Sequence, residues 1–184
     1  MEILITKRLT LRSPLEVDAD DLALFLNNHK VSKMLAQVPF PYDRKDALEF
    51  IEARRNQPAT DPSRTYMIFR ERLIGCVGLR QMEEKTMFGY WLAEPFWGQG
   101  LMSEAAHCVL DRHFADPDAA ELEAHVFVDN PASQRVLAKL GFEVVGSGET
   151  FSPARDRKAA DLITRLSRER YLDLHPLQPQ KNAA

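Results

Sequence analysis

Two glycines one residue apart, in Trp97-Gly98-Gln99-Gly100, run straight into Leu101-Met102-Ser103-Glu104-Ala105-Ala106. Glycine lets a backbone curl without Cβ clashes and approach a ligand closely. The helix that follows turns its unpaired N–H groups and positive dipole end toward whatever lies in front of it. Such a join is a seat for a phosphate group. Alone, a Gly-x-Gly reads better as a plain turn that starts a helix.

A second motif lies about thirty residues downstream, Asp129-Asn130-Pro131-Ala132-Ser133-Gln134-Arg135-Val136-Leu137-Ala138-Lys139-Leu140-Gly141-Phe142. It reads as a helix with both ends marked. Asn130 is a good N-cap and Pro131 suits the first helical position. Gly141 suits a left-handed stop, with Phe142 folding back over the last turn. Ala132, Val136 and Leu140 form the expected buried stripe. Asn130 and Ser133, three apart, share one face near the positive end.

In this order the two segments resemble the GNAT superfamily of acyl-CoA-dependent N-acetyltransferases, and within it the ribosomal-protein-alanine (RimJ/RimL type) branch. The resemblance extends to Thr6-Lys7-Arg8-Leu9-Thr10-Leu11-Arg12, Pro39-Phe40-Pro41-Tyr42 with Asp46-Ala47, Leu73 to Leu79, and Gly89-Tyr90-Trp91-Leu92. It implies an α/β (α+β) single domain over 1–172 with a tail over 173–184. It also implies a mixed, mostly antiparallel sheet of about seven strands, splayed around a CoA cleft with helices on both faces. The general superfamily turn reads Gln/Arg-x-x-Gly-x-Gly/Ala. Trp97 and Met102 depart from it, as Rim-type members do, and Gly100 holds the glycine.

The bulk properties fit a soluble globular protein. The 184 residues suit one domain, with 45% hydrophobic and 28% charged residues. A net charge of −3 gives no field for holding nucleic acid. Met1-Glu2-Ile3-Leu4-Ile5 lacks a signal-peptide pattern, and no apolar run could span a bilayer. The expectation is a cytoplasmic monomer or homodimer. Cys76 and Cys108 read as reduced core residues. His107, His113 and His125 show no metal-ligand spacing with them, so no metal is expected.

Period-two and period-3.6 patterns predict a strand over Thr6–Arg12, a helix opening at Asp18, and another over Lys45–Asn56. A loop from Pro58 to Ser63 leads to strands Tyr66–Arg70, Leu73–Leu79 and Met87–Leu92. The glycine-turn helix runs to about Ala115, and strand Leu122–Val128 enters the Asn130 helix. Strands Glu143–Ser147 and Asp161–Leu166 close the domain, and a Pro- and Gln-containing tail from Leu174 is expected to fray.

By the resemblance, the cofactor is acetyl-CoA. Trp97, Gly98, Gln99, Gly100, Leu101, Met102 and Ser103 would meet its diphosphate, and Trp91 and Leu92 its pantetheine arm. Asn130, Ser133 and Arg135 would complete the cofactor site, with Arg135 equally readable as an exposed ion-pair residue. A backbone N–H near Leu92 is the candidate oxyanion donor. Many relatives carry Glu where this chain has Met87, so a water-relayed proton path is expected, which favours an α-amine (pKa about 8) over lysine (about 10.4). The tyrosine acid common on the helix after Asn130 is missing, and Ser133, with Asn130 beside it, stands in. Phe40, Tyr42 and Tyr66 are candidates for the acceptor pocket.

Two other classes compete. A nucleotide-binding turn fails because no Gly-Lys-Ser/Thr follows and Ser103 holds the third glycine place. A domain that binds acyl-CoA without transferring the acyl group, acting as a sensor or partner subunit, remains the alternative. The acceptor is open between a protein N-terminus and a small amine.

Overall fold

Along Arg64–Arg70 the side chains divide by parity: Tyr66 and Ile68 enter one core, Met67 and Phe69 another. That alternation is what a sheet covered on both faces demands. The protein is described here by a computed structural model covering residues 2–57 and 60–176. Its strands are β1 (Ile3–Ile5), β2 (Thr10–Arg12), β3 (Arg64–Arg70), β4 (Arg72–Met82), β5 (Lys85–Leu92), β6 (Leu122–Phe127), β7 (Glu143–Ser152) and β8 (Arg157–Leu166). They form one sheet in the order β1-β2-β3-β4-β5-β6-β8-β7, antiparallel throughout except between β5 and β6.

The helices are α1 (Ala19–Leu26), α2 (His29–Ser32), α3 (Arg44–Arg55), α4 (Leu101–Phe114), α5 (Pro131–Leu140) and α6 (Arg168–Leu174). One face of the sheet carries α4, α5 and α6, whose Leu101, Ala105, Leu110, Leu140 and Tyr171 are fully buried. The opposite face carries α1, α2 and α3 through Leu22, Val31 and Ile51. Asp43 caps α3, accepting from the Lys45 and Asp46 amides, while Asp46 Oδ2 accepts from the Asp43 amide at 2.8 Å.

The sheet has eight strands rather than about seven, because the expected strand Thr6–Arg12 is broken. The Thr6 amide donates to the Leu9 carbonyl, and Thr6 Oγ1 and the Arg8 amide both donate to Glu104 on α4. A turn anchored that way cannot stay in a ladder, so the segment becomes a hairpin of β1 and β2.

Two apolar stripes also sit differently. In α5 the buried residues are Leu137 and Leu140, whereas Ala132 is exposed and Val136 half-buried. Leu24 of α1 is exposed, being half a turn from Leu22 and Leu26. Neither α2 nor α6 is expected from the pattern. The expected boundary at 172/173 falls inside α6, which ends at Leu174. Pro58 and Ala59 of the expected loop, and 177–184 of the expected tail, lie outside the described residues. Among the described residues no helix is long and apolar enough to cross a membrane.

Candidate functional site

Strands β5 and β6 pair at two positions alone, Thr86 with Leu122 and Met87 with Glu123. Beyond these, β5 stays on β4 and β6 stays on β8, so the sheet opens between them. The phase of the β4–β5 ladder decides what faces the opening. The Ala93 amide donates to the Ile74 carbonyl at 2.8 Å, so Leu92, one residue earlier, turns its peptide groups away from β4. Its carbonyl accepts the Trp97 indole N–H at 2.6 Å, and its N–H faces the gap. A cleft of about 950 Å³ runs through this opening and reaches both faces of β5.

On the α4 side stands the glycine turn. Gly98 and Gly100 have φ of 74° and 73°, in the left-handed region where a Cβ is strained. Beside Gly98 a Cβ would meet nothing within 4 Å, so the turn is open where an anion would approach. Gly98, Gly100, Leu101, Met102 and Ser103 all border the cleft, as does Trp97. Leu101 and Met102 are buried, so what they can offer is backbone N–H, not side chain.

Gln99 does not border the cleft. Its amide nitrogen donates to Pro95, its side-chain oxygen accepts from Arg70, and its carbonyl accepts from Arg8 at 3.0 Å. Arg8 also pairs with Glu104 at 2.6 Å. Burial pushes the Glu104 carboxyl up, but the bonds from Thr6 and Arg8 outweigh it and hold it below the usual range. Arg8 therefore neutralises the one acid in the first turn of α4, which would otherwise oppose an incoming anion.

Across the gap, Asn130 Oδ1 accepts the Ser133 amide at 3.1 Å, and Gly141 ends α5 with φ of 98°. The cap commits that oxygen, leaving the Asn130 amide nitrogen for a ligand. Ser133 Oγ lies 2.7 Å from the Tyr90 hydroxyl, which also donates to the Ser133 carbonyl at 3.2 Å. Burial raises the Tyr90 pKa, with the Ser133 bond opposing, so the phenol keeps its proton at neutral pH. Sequence reasoning sought a tyrosine on the helix after Asn130 and missed this one on β5. The Gly89-Tyr90 motif was visible, but the contact depends on strand parity and on where α5 docks. Arg135 is exposed at the cleft rim.

On the α3 side, Trp91, Tyr42, Cys76 and Met87 line the cleft. Burial pushes the Cys76 thiol up to about 12, so it is no nucleophile at neutral pH. No carboxylate stands at Met87. The acid opposite it, Glu123, is held by Lys85 at 2.9 Å and by His125 and Arg165 at 3.1 Å. Burial alone would raise its pKa, but these partners bring it to about 2. His125 itself borders the cleft, with Nδ1 facing Asp161 at 3.0 Å.

Two expected acceptor residues are elsewhere. Tyr66 faces the α4 side, buried, with its hydroxyl on Glu2 at 2.5 Å. Parity sends its neighbour Met67, not Tyr66, toward α3. Phe40 is exposed outside the cleft and packs on the His29 ring at 4.9 Å.

A family model described as an acetyltransferase (GNAT) domain matches residues 8–143. An uncharacterised N-acetyltransferase, p20 of Bacillus licheniformis, is 28% identical over 163 residues, covering 85% of this chain and 91% of its own. The ribosomal-protein-serine acetyltransferase of Escherichia coli K12 is 37% identical over 91 residues, 46% of this chain and 49% of that one. Among solved structures, Mycobacterium smegmatis RimJ in complex with CoA-disulfide superposes with a TM-score of 0.76 at 18% identity, covering 91% of this chain and 87% of that one. The glycine turn before α4, the parting of β5 from β6 and the capped α5 all fall within the matched span, and the chain belongs to the GNAT family of acetyltransferases.

Proposed function

We propose that the protein transfers the acetyl group of acetyl-CoA to a primary amine by direct attack, with a peptide or protein N-terminal α-amine as the favoured acceptor. The observation that carries this reading is the opening between β5 and β6, flanked by a left-handed glycine turn and by the Tyr90–Ser133 pair. The CoA-disulfide held by RimJ and the ribosomal-protein substrate named for the E. coli relative support it.

Bound in the cleft, acetyl-CoA supplies an activated acyl group on a thiol leaving group. The amides of Gly98 and of Gly100 to Ser103 would hold the diphosphate against the α4 N-terminus. The Leu92 N–H, turned into the gap, donates to the carbonyl oxygen on which charge develops. Ser133 Oγ–H would donate its proton to the departing sulfur and take one from the Tyr90 hydroxyl along the 2.7 Å bond, and the acceptor's proton, passed on by water, would restore the Tyr90 phenol. The acceptor's proton leaves through water, since Met87 offers no base. That favours an amine already partly neutral at pH 7, an α-amine rather than a lysine. Cys76 is too weak an acid for an acetyl-enzyme route.

Release of free thiol from acetyl-CoA, followed across peptide N-termini, lysine side-chain peptides and small amines, tests the reading. Turnover with α-amines supports it. Saturable CoA binding with no thiol released from any acceptor would replace it with a binding domain.

A further inference from the structure

The α3 side of the cleft carries two arginines and no carboxylate bound to either. Arg54 of α3 and Arg80 of β4 both border the cleft, beside Cys76 and Trp91. Among the described residues neither has an acidic partner within salt-bridge distance. Arg80 donates to a neutral oxygen, Gln37 Oε1, at 2.7 Å. Arg54 is half-buried, with its guanidinium carbon 5.0 Å from the Phe50 ring centroid, a cation–π contact that occupies none of its N–H groups with a carboxylate.

The nearby acids are occupied elsewhere. Asp46 closes the α3 cap through the Asp43 amide, Glu49 turns to Lys45 at 3.7 Å, and Asp61 accepts the Ser63 amide at 2.8 Å. Burial, and then repulsion from Arg80, lower the Arg54 pKa by more than the attraction of Cys76 and Asp61 raises it. A half-buried guanidinium beside a second, exposed one is better satisfied when an anion joins the two.

We infer that Arg54 and Arg80 form an anion subsite on the acceptor side, so that the preferred amine carries a carboxylate or phosphate group of its own. This rests on the acetyl-transfer reading. Arg80 stands opposite Met87 in the β4–β5 ladder, and Arg54 lies within electrostatic reach of Cys76, opposite Trp91. Both are thus on the face of β5 away from the Tyr90–Ser133 pair, where an incoming amine and not the cofactor diphosphate would lie. An acidic residue just after a peptide N-terminus and a phosphate on a small amine offer the same chemistry.

The test uses matched acceptors: Ala-Glu-Ala amide against Ala-Gln-Ala amide, and phosphoethanolamine against ethanolamine. Thiol release and calorimetric binding to the CoA-loaded protein are measured for each. We expect about a tenfold preference for the anionic member of at least one pair, and the pair that shows it identifies the source. The preference falls to near one in Arg54→Gln and Arg80→Gln and survives in part in Arg54→Lys. Should Arg54→Gln fail to fold, the exposed Arg80→Gln carries the comparison. Equal binding and equal rates in both pairs, or no binding of any of the four, overturn the inference. Anion-dependent binding with no thiol released keeps the subsite and removes the transfer reading. Thiol released without preference does the opposite.

Discussion

The Tyr90 hydroxyl lies 2.7 Å from Ser133 Oγ, joining β5 to the first turn of α5 across the mouth of the cleft. If the two act as one proton relay, removing either hydroxyl should cost much the same. Tyr90→Phe and Ser133→Ala are each expected to lower kcat by about 10- to 100-fold, at the low end of what general acids supply, with CoA affinity changed less. The double variant should be little worse than the worse single one, because the relay is already broken. Steady-state rates beside calorimetric Kd values decide it, and an unchanged kcat in Tyr90→Phe removes the relay.

The glycine turn should behave in the opposite way. Gly100 sits at φ 73°, and a β-branched residue there is strained by about 1–2 kcal/mol. Gly100→Val should therefore weaken CoA binding about tenfold while kcat at saturation stays within a fewfold. A Kd equal to that of the parent would show that the turn does not hold the cofactor.

Arg8 makes a prediction about rescue. Its Nε pairs with Glu104 at 2.6 Å beside the anion seat. Arg8→Ala leaves that carboxylate uncompensated at the helix N-terminus, so CoA binding should weaken severalfold. Adding Glu104→Gln should recover most of the loss. A double variant as weak as Arg8→Ala alone would assign Arg8 to its bond with the Gln99 carbonyl instead.

Glu123 sets a pH dependence. Its folded pKa of about 2 lies below the ordinary carboxylate value of 4.5, so its stabilisation is full above 4.5 and disappears as pH falls toward 2. Glu123→Gln should cost about 2 kcal/mol at pH 7, the loss of charged hydrogen bonds to Lys85, His125 and Arg165. Urea midpoints for the two proteins should converge between pH 4.5 and pH 2. A gap that stays constant across that range contradicts the assignment.

Features set by local chemistry were legible in the sequence. Asn130, Pro131 and Gly141 mark the ends of α5 because caps act within one turn of chain, and Gly98 and Gly100 take their left-handed turn for the same reason. What failed depended on partners far along the chain. The Thr6–Arg12 pattern alternates like a strand, yet Glu104, 98 residues from Thr6, draws it into a turn. Tyr66 carries the right residue type for an acceptor pocket but the wrong parity, and no propensity reports which face a strand presents. Tyr90 was hidden by the same ambiguity. The meeting of Arg54 and Arg80 at the cleft was also out of reach, because scattered charges reveal their neighbours only once α3 lies over β4.

The parting of β5 from β6 has a mechanical meaning as well. With two rungs between them, the strands before and after that point are stitched mainly by helix packing, and the inner edge of β5 presents peptide groups that no neighbouring strand takes up. A pantetheine arm, itself a chain of amides, would act there as a surrogate strand. Saturating CoA should then slow amide hydrogen exchange at Tyr90 and Leu92 and raise the melting temperature, so that catalytic loading and architectural integrity become one equilibrium.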